Sequence, residues 1–310
     1  MRHVLAAAAL IAVLLTAALP ASGRPVKGAS KCRLFPASSH WNQRVDKLPV
    51  LPNSDAMVAN IGAGDTLHPD FGAGLYEGRP IGIPYTTVSG DQKRVKVSFE
   101  YADESDRGPY PIPKNAPIEG GRSSDGDRHV IIVNRDHCKL YELYAAYPRN
   151  GGRSWRAGSG AIFDLRSNRM RPAGHTSADA AGLPILPGLA RPEELSKGID
   201  HALRFTVSRT RRAYIYPARH FASSHTDPDL PAMGQRLRLK ASFDTSGYPP
   251  QARAILKALK RYGMIVADNG SDWFISGTPS KSWDNDQLGA LKRVEGSNFE
   301  VVDTSKLPRP

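Results

Sequence analysis

The sequence predicts a mainly β fold, an antiparallel β-sandwich or jelly-roll with one or two peripheral helices. Apolar and polar residues alternate with a period of two in several segments, as in half-buried strands. The chain also holds 28 glycines and 25 prolines in 310 residues. Because proline fits neither a helix interior nor a central strand, this content requires many turns and surface loops. We expect residues 24–310 to form a single mainly β domain.

The strand patterns lie in five parts of the chain. Residues 95–101, 203–207 and 236–241 alternate, and in the last segment Arg236, Arg238 and Lys240 are expected on an exposed face. There they would protect a sheet edge or bind an anionic chain. Segments 129–133 and 140–144 flank a polar turn and predict a hairpin. Segments 264–267 and 273–276 flank Asn269 and Gly270 and predict another.

Two helices are predicted near the C-terminus. Residues 252–262 show helical spacing after Pro249 and Pro250, and Gly263 supplies a left-handed cap. A shorter helix is expected from Asp284, with Gln287 as its capping partner. The apolar loop at 176–189 is expected to be ordered, since its leucines and isoleucine gain free energy from burial. We therefore place no domain boundary there.

The N-terminus predicts export. Arg2 precedes an apolar run at 4–19, and small residues follow at 21–23, which is typical of a secretory signal peptide. The run is shorter than the roughly 20 residues needed to span a bilayer. We predict a signal peptide at residues 1–23 and a secreted, extracellular protein without membrane insertion.

Two cysteines, Cys32 and Cys138, remain in the exported chain. An even number of cysteines in an exported protein favours a disulfide over free thiols or metal ligands. The sequence therefore predicts a Cys32–Cys138 bridge, which would tie the N-terminal arm to the base of the 129–144 hairpin.

The net charge is +12, and removal of Arg2 with the signal peptide leaves +11. Positive charge favours encounter with anionic partners, such as acidic or cell-wall polysaccharides. The basic residues are dispersed, and no zinc-finger spacing or RNA-binding aromatic block occurs, so we expect no nucleic-acid partner. A polysaccharide substrate or ligand is the predicted partner.

Three blocks resemble a family of secreted bacterial proteins that has no assigned activity. They are SFEYADESD at 98–106, ADAAGLPILPGL at 178–189 and ADNGS at 267–271. The resemblance covers most of the exported chain. It implies export and a single domain, and it transfers no catalytic role.

Carboxylates are the main candidates for chemistry. The sequence lacks a serine nucleophile elbow, a zinc-protease helix, a phosphate-binding loop and a dinucleotide fingerprint. We predict no metal and no cofactor. Two facing carboxyl groups can cleave a glycosidic bond, one as acid and one as base or nucleophile. The candidates are Glu100, Asp103, Glu104 and Asp179.

Other readings of the sequence stay open. A histidine, chosen here as His201 with His175 and His220 as further candidates, could serve as the base of a polysaccharide lyase. The chain could also be a binding protein for anionic envelope polysaccharide, or a structural secreted factor. Side chains expected to contact the sugar chain are Trp155, Tyr110 and Arg166.

Overall fold

The computed structural model describes residues 23–310. The predicted signal peptide falls outside this range, apart from Gly23. Three α-helices are present: α1 (Ser54–Ile61), α2 (Pro250–Arg261) and α3 (Asn285–Gly289). The strands are β1 (His68–Asp70), β2 (Leu75–Tyr76), β3 (Arg79–Pro80), β4 (Tyr85–Val88), β5 (Lys96–Phe99), β6 (Val130–Asn134), β7 (Lys139–Tyr144), β8 (Tyr147–Arg149), β9 (Ser154–Ala157), β10 (Ser159–Asp164), β11 (Leu203–Val207), β12 (Arg236–Leu239), β13 (Met264–Asn269), β14 (Phe274–Ser276) and β15 (Phe299–Val301).

Two larger sheets organise the chain. A six-stranded sheet has the order β1-β14-β11-β13-β12-β15, and a four-stranded sheet has the order β10-β7-β6-β4. Smaller sheets are β5-β9-β8 and the hairpin β2-β3. The mainly β class with peripheral helices is confirmed. The sheets are mixed, because β1–β14, β11–β13, β4–β6 and β5–β9 pair in parallel.

The core follows the apolar faces of both large sheets. One hydrophobic cluster collects buried residues from Val26 to Val301 and includes the ordered loop at Ile185, Leu186 and Leu189. A second, smaller cluster lies on the β5-β9-β8 side of the four-stranded sheet. These side chains of the long loop are fully buried. The hydrophobic effect that stabilises the packing of the sheets therefore also fixes the loop.

The helices match the predicted spacing. Helix α2 buries Ile255, Leu256 and Leu259 and packs against β12. Helix α3 is capped by the Asp284 carboxylate, which accepts hydrogen bonds from the backbone N–H groups of residues 286 and 287. No helix within residues 23–310 has the length and apolar character needed to cross a membrane.

The predicted disulfide is confirmed. Cys32 and Cys138 are bonded, with their Cα atoms 5.1 Å apart and 106 residues between them in sequence. Cys138 lies in the turn between β6 and β7, so the bridge fixes the N-terminal arm to this hairpin. A disulfide of this kind fits an extracellular protein.

Two expectations about strands are wrong. Strands β13 and β14 do not form a hairpin, because β11 lies between them and pairs with both. Arg236 and Arg238 are buried rather than exposed. Arg236 donates to the Tyr262 carbonyl oxygen, with Nε at 2.8 Å, and Arg238 Nε pairs with Glu300 at 2.7 Å. Carbonyl and carboxylate acceptors replace water around these guanidinium groups and so make their burial possible.

Candidate functional site

An acidic cleft is lined by residues of both large sheets. It consists of adjoining cavities of about 430 Å³ and 220 Å³, which share Asp127, Asp268 and Asn269 in their linings. Asp268 and Asn269 end β13, whereas Asp127 precedes β6 on the opposite sheet. The loop at 176–180 closes one side of the larger cavity. We call this pair of cavities the acidic cleft.

A buried arginine, Arg204, binds several side chains at the floor of the acidic cleft. Arg204 Nε and Nη2 bind the two carboxylate oxygens of Asp179 at 2.9 and 2.8 Å. Arg204 also donates to Ser276 Oγ at 2.7 Å and to Asp268 Oδ2 at 3.2 Å. Because β11 lies between β13 and β14, Arg204 reaches Asp268 on one neighbouring strand and Ser276 on the other. The long-range strand order therefore assembles this group.

Asp268 and Asp179 form a carboxyl pair. Both lie at Arg204, which contacts Asp179 through Nε and Nη2 and Asp268 through Nη2. Asp179 accepts a bidentate, charge-assisted contact from Arg204. Burial, and next the negative charge of Asp179, raise the pKa of Asp268 to about 8, against the opposing effect of Arg204. Asp268 is therefore an acid that keeps its proton at neutral pH.

His129 supports the cleft as a fixed cation. Its Nδ1 lies 2.6 Å from Glu119 Oε2, and its Nε2 lies 3.0 Å from the Ala178 carbonyl oxygen. Both partners accept, so both ring nitrogens donate. Burial alone would lower the pKa of His129, but the charge and hydrogen bond of Glu119 outweigh it and raise the pKa to about 9. His129 thus anchors the loop that carries Asp179.

Glu142 holds the same loop from below. This buried side chain on β7 accepts hydrogen bonds from the N–H groups of Ile185, at 2.8 Å, and Leu186, at 2.9 Å. Burial raises the pKa of Glu142 to about 7 despite these bonds. The neutral form of Glu142 is therefore favoured by folding.

This raised pKa predicts a pH-dependent stability. The stabilisation from neutral Glu142 is complete below the unfolded pKa of about 4.5 and is lost as pH rises through about 7. We expect wild type to lose up to about 3 kcal/mol over this window, relative to Glu142→Gln, which cannot ionise. Urea unfolding at a series of pH values measures the difference. Equal pH slopes in both proteins would contradict the assignment, and Asp103→Asn serves as the exposed control.

Three side chains that line the smaller cavity have the chemistry of cation ligands. Glu119, Asp127 and His129 offer ligand atoms that lie within 4.8 Å of one another. No spacing motif in the sequence predicts this group, since Glu119 and His129 come from separate segments. A metal ion bound here would have to displace the hydrogen bond between His129 and Glu119.

Two of the predicted acids lie in the cleft. Glu104 lines the larger cavity, where its Oε2 accepts the Thr176 N–H at 2.8 Å. Asp179 is 1% exposed and belongs to the carboxyl pair. Glu100 and Asp103 are exposed and lie outside the cleft lining, and Glu100 faces Arg156 at 3.7 Å.

The remaining predicted site residues lie elsewhere. Trp155 and Tyr110 are 2% and 0% exposed and pack in the smaller hydrophobic cluster, so neither has a free ring face for a sugar. His201 is buried, with Nε2 3.1 Å from Glu194 and Nδ1 2.8 Å from the Ala202 carbonyl oxygen. Arg166 is exposed outside the cleft. The rings are covered because apolar burial outweighs their capacity for stacking.

The aromatic residues of the cleft are different ones. Tyr101 and Tyr144 line the larger cavity, and Tyr101 is 48% exposed. Tyr101 lies in the resemblance block at 98–106, and Asp268 lies in the block at 267–271. Both blocks stand out in the sequence, but the pattern around Asp268 predicts a hairpin turn.

Comparison of this chain with protein-family models, with curated proteins and with solved structures found no match. The resemblance to secreted bacterial proteins therefore stays a prediction. The geometry of the cleft alone carries the functional argument.

Proposed function

We propose that the acidic cleft cleaves glycosidic bonds in an extracellular or cell-wall polysaccharide. The observation that carries this proposal is the pair of Asp268 and Asp179 on the buried Arg204, with the Asp127 carboxylate lining the same two cavities. Glycoside hydrolysis needs one protonated and one ionised carboxyl group on opposite sides of the scissile bond. The cleft supplies both kinds of group.

Asp268 is the proposed general acid. Its proton passes to the glycosidic oxygen as the bond to the anomeric carbon breaks, which leaves the sugar with oxocarbenium character. The Asp268 carboxylate then remains next to Arg204, whose charge stabilises it, and regains a proton from water. Asp179 acts as a positioning residue, because it keeps Asp268 protonated and orients Arg204.

Asp127 is the proposed facing carboxylate. Its carboxylate carries no hydrogen bond or ion pair to another side chain within residues 23–310, so it is free to contact a ligand. It either attacks the anomeric carbon or activates water, and the anomer released distinguishes these routes. Tyr101 and Tyr144 offer ring faces for sugars beside it. The volume of the larger cavity lies in the range of small-molecule sites.

The alternatives that need an anionic polymer fit the cleft less well. Besides two histidines, Arg204 is the one cationic residue that lines the cleft within residues 23–310. The lining also holds six acids, which are Asp70, Glu104, Glu119, Asp127, Asp179 and Asp268. His220 does line the larger cavity, with Nδ1 2.8 Å from the Ala180 carbonyl oxygen and Nε2 3.8 Å from Glu104 Oε2. A uronate would nevertheless meet like charges in the cleft, which disfavours both the lyase and the anionic-binding hypotheses.

The proposal is tested by the release of reducing ends from a panel of neutral and acidic polysaccharides. We expect wild type to release reducing ends from at least one neutral polymer. Release of unsaturated products from an acidic polymer would favour the lyase instead. Retention of polymers without any product would favour the binding protein.

The pH dependence of this activity follows from the proton on Asp268. Because the acid must be protonated, the rate is expected to be full below the pKa of about 8 and to fall about tenfold per pH unit above it. Initial rates on the best substrate between pH 5 and pH 10 measure this limb. A rate that stays constant up to pH 10 would exclude Asp268 as the acid.

A further inference from the structure

A separate cavity of about 390 Å³ lies under the C-terminal segment. It is lined by the start of α1, by the residue before β12 and by residues that follow β15, and it shares no lining residue with the acidic cleft. The proposed glycosidic chemistry makes no use of it. We call it the C-terminal cavity.

A buried amide in its lining lacks a partner. Gln235 is 2% exposed, and its Nε2 has no hydrogen-bond partner within the described chain. An unpaired buried donor costs about 1–3 kcal/mol. Gln235 lines the cavity, so a ligand bound there can accept from its amide.

Two arginines add positive charge. Arg211 lines the cavity, and its buried Nε has no hydrogen-bond partner within residues 23–310. Arg309 lies over the Tyr216 ring at 5.4 Å. Neither guanidinium forms a salt bridge to a carboxylate within residues 23–310. The one acid in the lining, Asp303, already accepts the Ser305 N–H at 2.8 Å. The lining therefore carries two cations and one anion.

The N-terminus of α1 also favours a negatively charged ligand in this cavity. Asn53 precedes α1, but its side chain does not cap the helix and instead donates to Asp229 at 2.9 Å. An uncapped helix N-terminus favours negative charge. The rest of the wall is apolar and includes Met57, Ile215 and Val302.

We propose that the C-terminal cavity binds a small organic carboxylate with an apolar chain. The carboxylate meets Arg211, Arg309 and the Gln235 amide, and the chain packs against the apolar wall. Binding would satisfy the unpaired Gln235 donor, and charge-assisted hydrogen bonds to arginine are stronger than neutral ones.

The test is an NMR titration of the full, ¹⁵N-labelled protein with hexanoate, 1-hexanol and hexylamine, which share one chain length and differ in charge. The probes are the Gln235 side-chain amide and the Arg211 Nε–H resonances. We expect a saturable shift with hexanoate, with Kd of about 1 mM or below. Hexanol and hexylamine are expected to bind at least about tenfold more weakly.

Variants separate this site from general surface binding. Arg309→Gln removes an exposed side chain that has no hydrogen bond to another residue of the range 23–310. The variant should therefore fold normally and weaken hexanoate binding about tenfold. Arg211→Gln should do the same, while Lys257→Gln, an exposed cation on α2, leaves binding unchanged. Absence of a saturable shift up to about 10 mM hexanoate, equal binding of hexanol, or wild-type binding by Arg309→Gln would overturn the proposal.

Discussion

Asp268→Asn is expected to lower the rate of glycan cleavage by about 10²- to 10⁴-fold, the range that a general acid contributes. Asparagine keeps the size of the side chain and can still accept from Arg204, but it has no acidic proton for the leaving oxygen. The rate is measured by release of reducing ends at pH 6, where wild-type Asp268 is protonated. Affinity for the polymer should stay close to that of wild type.

Glu100→Gln provides the matched control. Glu100 is exposed outside the cleft, and the one ion pair of its carboxylate within residues 23–310 is a 3.7 Å contact with Arg156, so its loss should leave the rate unchanged. If Glu100→Gln abolished cleavage and Asp268→Asn did not, the chemistry would lie at the strand β5 end, as the sequence first suggested, and not in the acidic cleft.

Asp179→Asn is expected to affect both stability and activity. It leaves the buried Arg204 without its bidentate partner, and breaking a buried pair costs about 3–5 kcal/mol. Ser276 Oγ, at 2.7 Å, and the Asp268 carboxyl, at 3.2 Å, remain as acceptors of Arg204. Without the negative charge of Asp179, the pKa of Asp268 should fall, and the protein should lose its acid at neutral pH.

Two measurements test the expected effects of Asp179→Asn. Urea unfolding gives the loss of stability relative to Asp103→Asn, which removes an exposed acid. The alkaline limb of the rate profile should move to lower pH. A variant with wild-type stability and an unmoved limb would show that Asp179 neither balances Arg204 nor acts on Asp268.

Local patterns predicted the parts of the fold that depend on neighbouring residues. The β6–β7 hairpin, α2 and the start of α3 follow from periodicity and capping, and the disulfide follows from the cysteine count. The insertion of β11 between β13 and β14 joins segments about 60 residues apart. Asn269 and Gly270 favour a tight hairpin locally, but tertiary pairing overrides that preference.

Only part of the site could be predicted from the sequence, because the rest depends on pairing between distant strands. Glu104 and Asp179 are acids in loops, and their type and setting identified them as candidates. Asp268 and Arg204 become a site only when β11 and β13 pair, and the Arg204 side chain occupies a strand position that reads as solvent-facing. Asp127 precedes a buried strand and resembles an ordinary turn acid. Burial, which removed Tyr110 and Trp155 from the site, is likewise set by long-range packing.

The most direct test of the central claim is a ¹³C NMR titration of the Asp268 carboxyl group in wild type, with Asp268→Asn used to assign the resonance. The account predicts that Asp268 titrates at about pH 8 and is protonated at pH 6. A midpoint below about pH 5, near the usual aspartate range, would contradict it, because Asp268 would then hold no proton to donate at neutral pH.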